Sequence, residues 1–480
     1  MEEQHQQQGN DDGLILPEDV LAEQILRRLA PRDLAVCRCV CAEWKVAVDG
    51  RRLLRADLLP LSVGGIFLNF EAHRYAEFLR PPSSCSSVSG DLTHVPCPDG
   101  SKVMDHCNGL VLLDGCVVAN PATGWWAPLP PWPAGWPNSC QQVAHIVFDP
   151  AVSPHYSVFL VSYASLYGEL QGDPAAEWPP SPYPFHVFSS TTGRWEERPF
   201  LRQGGAAGAI ADVRFGGERT QHEYRCFAAY YSKKQALYVH CQNNFFLRIS
   251  LSRDEYQVIK PPPGISVHSG SPVLGKSEKG PYLAAIFYPE SCFKVWILDE
   301  SDQHQSQWVL RHCNNHLGMM LPPCYLDKKV CGPWVLEDIN YNEDRKQDAA
   351  MGLPFLQVET ATPVVKHKSD CSSIFDEDNF TLDGSTTEDG TSSHGGSCYI
   401  DDFWVFGFHP YKEIVFLGSG YDRVVAYDLH SSKFQYLGNI HPTDFDVYYL
   451  YGPEGIDETF VYTPCKLEAY GHQGSAPLAA

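Results

Sequence analysis

The sequence lacks the marks of several large protein classes. No run of eighteen apolar residues occurs in its 480 positions, so nothing in it reads as a membrane-crossing helix. Residues 1–13 (MEEQHQQQGNDDG) are polar and Gln-rich, without the basic start and apolar middle of a secretory leader. Positive charge is scarce: 36 Lys and Arg against 58 Asp and Glu leave a net charge of −22. Broad binding to nucleic acid or to an anionic membrane needs a positive surface, so neither is expected as a partner. The 17 cysteines include no C-x-x-C pair. An odd count in a long chain without that spacing supports neither a disulfide framework nor a zinc ribbon. Reduced thiols, in cytoplasm or nucleus, are the expectation.

Catalytic motifs are missing too. Gly418-Ser419-Gly420 lacks the spacing of a nucleophile elbow, and Gly264–Lys276 lacks the order of a phosphate-cradling loop. His312 and His316 stand four apart, but there is no H-E-x-x-H, and the intervening Cys-Asn-Asn reads as a loop. No catalytic residue, metal ligand or cofactor site is assigned.

What the sequence does have is a helical stretch from Leu14 to Pro60. Leu21, Ile25 and Leu29 recur every four residues and so share one face of a helix. Pro17 suits a first helical turn, where its missing N–H leaves nothing unpaired, and Glu18 and Asp19 follow where the helix dipole favours negative charge. Pro31 ends this helix, and Asp33 sits in the first turn of the next. Val36 and Val40, then Trp44 and Val48, repeat the same spacing. A lone core of this size yields only a few kcal/mol, roughly the worth of burying two or three leucines. The stretch therefore reads as a docking element, or equally as a helical hairpin lying on the body of the chain.

The order of residues resembles the F-box motif. Leu16, Pro17, Asp19, Val20, Leu21, Ile25, Leu26, Leu29, Arg32, Asp33, Leu34, Val40, Cys41 and Trp44 follow its pattern; Ala30 and Ala42 depart from it. The resemblance implies binding to a Skp1-like adaptor and through it to a cullin, with the remainder of the chain capturing a protein substrate for ubiquitination. It implies adaptor contacts from Leu16, Pro17, Val20, Leu21, Ile25, Leu26, Leu29, Asp33, Leu34, Val40 and Trp44.

Beyond Ser62 the texture is that of strands. Gly109–Leu113, Val143–Phe148, Ser157–Ser162, Ala236–His240, Lys294–Leu298, Phe403–Phe408, Glu413–Leu417 and Arg423–Tyr427 are short, apolar or alternating runs bounded by turn residues. A local pattern recurs, in which a strand ends in a polar turn and an aromatic opens the next segment. It is seen at Asn120–Gly124 before Trp125 and Trp126, and at Ser189–Gly193 before Trp195. Weaker copies precede Tyr256, Trp308 and Phe434. Thr-Gly supplies the positive φ of a tight hairpin, and the aromatic then packs across the strand pair. Intervals of 69, 61 and 52 residues, then 126 (two such intervals), are irregular for a repeat. A radial stack of four-stranded sheets is expected, with an irregular β-sandwich as the alternative.

Phe148-Asp149-Pro150, His155–Phe159, His186–Trp195 and Ala236–Cys241 resemble the bodies of plant, particularly grass, F-box proteins, which are F-box-associated propellers. The expected fold class is thus α+β and multidomain: a small all-α F-box, then a mainly-β propeller-like domain. Its expected parts are a disordered tail at 1–13, the F-box at 14–60, and propeller at 61–339 and 402–465. An acidic flexible insert at 340–401 and a second tail at 466–480 complete it. The insert combines charge with Ser, Thr and Gly. Ser373, Ser385 and Thr386 each precede an acidic residue by three positions, which suits either acid-directed phosphorylation or a plain spacer. Substrate contacts are expected from Trp125, Trp132, Trp136, Trp178 and Tyr183, in Pro- and Trp-rich loops at 125–137 and 173–184. The reading is a non-catalytic substrate receptor of a Skp1–cullin–F-box ligase. A non-ligase scaffold, and a propeller enzyme or sugar-binding module with a helical appendage, are its alternatives.

Overall fold

The computed structural model describes residues 21, 25–26, 29, 34, 37, 40–51, 53, 63–71, 73–82, 88–97, 100–114, 116–133, 140–150, 152–164, 173–214, 228–231, 234–241, 245–265, 272–277, 279–287, 292–301, 306–315, 317, 332–351, 403–419, 423–443 and 455–465. Alternation of side chains along each strand organises them. In Gly65–Phe70, Ile66 and Leu68 enter one apolar cluster while Phe67 enters another. A strand buried on both faces has to sit between two sheets.

Six four-stranded antiparallel units meet that demand. Sheet 1 runs through Val103–Cys107, Leu110–Leu113, Val117–Asn120 and Trp125–Pro128. Sheet 2 is Cys140–Phe148, Tyr156–Ala164, Tyr183–Ser189 and Arg194–Gln203. Ala228–Tyr231, Ala236–His240, Phe246–Ser250 and Glu255–Ile259 form sheet 3. Val273–Ser277, Gly280–Phe287, Cys292–Asp299 and Gln307–Asn314 form sheet 4. Sheet 5 is Phe403–Phe408, Ile414–Ser419, Arg423–Asp428 and Phe434–Asn439. Sheet 6 is a composite. Its innermost strand is the C-terminal Ile456–Tyr462, followed outward by the N-terminal Gly65–Phe70 and Glu77–Arg80 and by Val335–Leu336 from mid-chain.

The core is divided among the gaps between neighbours. One apolar cluster fills each junction: 1 with 2, 2 with 3, 3 with 4, 4 with 5, 5 with 6, and 6 with 1. Inner strands of sheets 1 and 2, 3 and 4, 4 and 5, 5 and 6, and 6 and 1 touch in turn. The sheets therefore close into a ring, a β-propeller, in agreement with the expected fold class. Sheets 2 and 3 are also joined at their rims, where Leu201, Arg202 and Gln203 pair in parallel with Glu255, Tyr256 and Gln257.

The recurring turns lie where the pattern placed them. Gly124 (φ 70°) and Gly193 (φ 67°) each turn the chain into the outermost strand, a conformation that L side chains seldom adopt. The following aromatics pack back, with Trp195 5.5 Å from Phe188 and Phe434 4.7 Å from Tyr427 between ring centroids. Among its described residues, however, the 126-residue interval does not show two sheets. It contains the outer strand of sheet 6, a helix, residues 352–402, and most of sheet 5.

Antiparallel meanders place connections at two faces. First-to-second and third-to-fourth turns share one face; second-to-third loops and sheet-to-sheet crossovers share the other. Gly65 opposes Tyr462 at the turn face, so the N-terminal element joins the propeller there.

The expectation of a flexible insert over 340–401 is corrected at its start. Ile339–Met351 is a helix on the connection face. Buried Glu77 caps it, accepting from the Ile339 N–H (2.5 Å), the Asn340 N–H (3.1 Å) and the Asn340 side-chain amide (2.7 Å). Sequence composition over Asn340–Asp348 hid this helix because its anchor lies far back in the chain. The remainder of the insert, with Ser373, Ser385 and Thr386, and the tails at 1–13 and 466–480, lie outside the described residues.

Candidate functional site: the N-terminal element and the propeller faces

In the N-terminal element the leucines turn inward. Leu21, Leu26 and Leu34 are 6, 0 and 5% exposed. With Ala47, Val48 and Leu53 they belong to the same apolar cluster as Leu110, Ile146 and Tyr156 between sheets 1 and 2. Leu29, Cys37 and Trp44 pack against that cluster while half-buried. Leu21, Leu26 and Leu34, expected as adaptor contacts, are thus buried in this structure, in a cluster that also holds propeller residues. Ile25, Val40 and Val46 point outward, at 36, 61 and 64% exposure. Leu21 and Ile25 thus do not share a buried face. Leu16, Pro17, Val20 and Asp33 lie outside the described residues.

Val46 escaped the sequence reading. It sits in the helix Ala42–Gly50, off the Trp44–Val48 stripe that turns inward. The usable signal was an apolar residue between Lys45 and Ala47 on the side that the stripe leaves free.

The described aromatic candidates fall into two separate pairs, Trp125 with Trp132 and Trp178 with Tyr183. Trp125 begins the outer strand of sheet 1 at the turn face, half-buried, its ring edge-on to Tyr156 at 6.2 Å. Trp132 is half-buried against the same cluster. Trp178 lies at the connection face, in a short strand, Glu177–Trp178, paired with Gly208–Ala209. Its ring stands 6.0 Å from Tyr183. Tyr183 is a correction: it is 2% exposed and donates to the Ser162 carbonyl, a core position rather than a contact surface. An aromatic that opens or closes a blade strand is drawn into the inter-sheet gap, where its area is worth most. Trp136 lies outside the described residues.

A cavity of about 90 Å³ opens along the inner strands among Asp105, His106, Lys276, Phe408, Glu458 and Thr459. That volume is enough for a few waters. Its polar groups brace the ring. Asp105 accepts from the Ile146 and His106 amides, each at 2.8 Å, and Lys276 donates to Asn108 at 3.0 Å. Burial lowers the His106 pKa; Asp105 opposes that and Lys276 adds to it.

Two carboxylates act as staples at successive junctions. Glu300 receives Lys234, Tyr238 and Arg248. Glu413 receives Lys279, Tyr282 and Arg311. Burial pushes Glu413 up, but these three donors outweigh it and hold its pKa at about 2. His312 belongs to a strand, not a loop, and meets the Tyr427 hydroxyl at 2.8 Å; His316 lies outside the described residues. Among the described residues no three His, Cys, Asp or Glu side chains are placed to hold a metal, and no helix is long and apolar enough to cross a membrane.

Residues 14–56 match the family model of the F-box domain. No curated protein matches the chain. Among solved structures, "YCF48 bound to D1 peptide" is similar at a TM-score of 0.28 and 9% identity, over 78% of this chain and 82% of that one. The chain thus carries an F-box domain ahead of a ring of β-sheets.

Proposed function

We propose that the protein is a substrate-recognition subunit of a Skp1–cullin–F-box ubiquitin ligase, of the plant type that its body resembles. The F-box domain match at residues 14–56 carries this reading, because F-box domains bind Skp1-like adaptors and through them a cullin. The docking surface is assigned to Ile25, Val40 and Val46, together with Leu16, Pro17, Val20 and Asp33. Leu21, Leu26, Leu29, Leu34 and Trp44 shape it from behind. Exposed apolar side chains on a small helical element lose water when a partner covers them, which is the driving force for docking.

The element joins the propeller at its turn face, which leaves the connection face for a protein substrate. Trp178 and the loop at 173–184 stand on that face. Catalysis by such a subunit is proximity alone: it holds target lysines near a ubiquitin-loaded enzyme that a partner supplies. Co-expression with a Skp1-like protein tests the reading. Co-purification is expected from the wild type, and its loss from Leu16→Ala/Pro17→Ala with the propeller still folded. Recovery of a cullin alongside separates a ligase from a scaffold.

A further inference from the structure

We propose that Cys292 and Cys313 form a redox-responsive dithiol, which a small-molecule disulfide such as oxidised glutathione converts to an intrachain disulfide at the connection face. Both thiols reach one atom: the Asn315 Oδ1 accepts from Cys292 Sγ at 3.1 Å and from Cys313 Sγ at 3.3 Å. The strand register explains the meeting. Lys294 pairs with Cys313 in the outer hairpin of sheet 4, so Cys292, two residues before Lys294, shares its face and lies diagonal to Cys313.

The shared contact on Asn315, and the exposure of Cys313, set this pair apart from the other described cysteines of the propeller. Cys107, Cys241 and Cys465 are buried, and burial pushes Cys97 up to about 11 and Cys107 up to about 12. Such thiols are poor nucleophiles at neutral pH. Cys313 is exposed and Cys292 half-buried, each within two residues of the end of its strand. Diagonal partners start roughly 7–8 Å apart at Cα, and a disulfide needs about 6 Å. Strand ends can draw in by that amount. Oxidation would then tie the rim strand to its neighbour and shift Asn315 beside the sheet 4 crossover.

The steps balance. The more exposed Cys313 attacks, as thiolate, one sulfur of glutathione disulfide; that S–S bond breaks, and one glutathione leaves and takes up the proton that Cys313 lost. The Cys292 thiolate then attacks the Cys313 sulfur of the mixed disulfide, and the second glutathione leaves with the second proton. Two cysteine thiols lose two electrons in total, and one glutathione disulfide becomes two thiols.

The test is to treat the full-length chain with oxidised glutathione near neutral pH, block remaining thiols and map tryptic peptides. The expected product joins peptide 280–294 to peptide 312–328 through Cys292 and Cys313, with fragment ions excluding Cys324. It should vanish in Cys292→Ser and in Cys313→Ser, persist in Cys324→Ser, and reverse with thioredoxin. The proposal is overturned if Cys313 joins Cys324, or if Cys292 and Cys313 end as separate glutathione adducts. It is equally overturned if both stay unmodified while the exposed Cys41 reacts. The wild-type map decides the question even if a serine variant folds poorly.

Discussion

Phe67, near the start of the propeller, stands directly opposite Phe460, near its end, in the strand pair that closes the ring. Chain order alone would leave the first and last strands apart. Their antiparallel pairing, extended by the Gly64 N–H bond to the Tyr462 carbonyl at 2.8 Å, makes sheet 6 a clasp.

Phe67→Ala should accordingly weaken the whole propeller. Phe67 is fully buried, with Phe78 at 4.6 Å and Tyr462 at 5.6 Å between ring centroids. Truncating a core Phe costs about 3–5 kcal/mol, and denaturant unfolding monitored by Trp fluorescence should read that loss. A chain ending before Ile456 should fail to give a cooperative transition at all.

Acid should expose the staple at Glu413. Its folded pKa, about 2, lies below the usual carboxylate range. A depressed pKa means stability present above the unfolded pKa and lost as pH falls toward the folded one. Glu413→Gln should therefore lower Tm near neutral pH and differ little from wild type near pH 2, about the folded value. An equal deficit at both pH values would contradict this. Paired melts on the two proteins measure it.

The helix Ile339–Met351 should depend on a residue far from it in sequence. Burial alone would raise the Glu77 pKa, but His73, Asn340 and the two helix-terminal N–H groups outweigh it and leave the carboxyl below its ordinary value. Glu77→Ala removes the cap, leaving buried N–H groups unpaired at a cost of about 1–3 kcal/mol. Faster amide exchange across residues 339–345, with sheets 2 to 4 unchanged, is the expected readout.

Much of the propeller could be read from residue order. Ala236–His240 and Phe403–Phe408 coincide with observed strands because apolar runs bounded by turn residues suit a strand buried on both sides. Turn-then-aromatic units marked the outer hairpin of five sheets, since that signal is local. Sheet 6 was not legible: its four strands come from three distant parts of the chain, and no local pattern announces such pairing. The site divided in the same way. The F-box domain was visible as a motif, but which of its apolar residues face inward depends on the surface it packs against. Leu21, Leu26 and Leu34 went to the junction of sheets 1 and 2, and Val46 stayed outside. Trp125 and Tyr183 resembled binding aromatics in their Pro-rich loops, yet ring size makes such residues equally good filler between sheets.

The proposed docking surface gives the most direct test. Val40→Asp/Val46→Asp places two charges on side chains that are 61 and 64% exposed, so folding should change little. Burying those charges against a partner without compensation costs several kcal/mol, enough to weaken binding by at least 100-fold. With a purified Skp1-like adaptor, titration calorimetry should show binding by the wild type and its loss in the double variant, with matching thermal melts. Equal affinity of the two proteins for the adaptor, or no affinity in the wild type, would contradict the account.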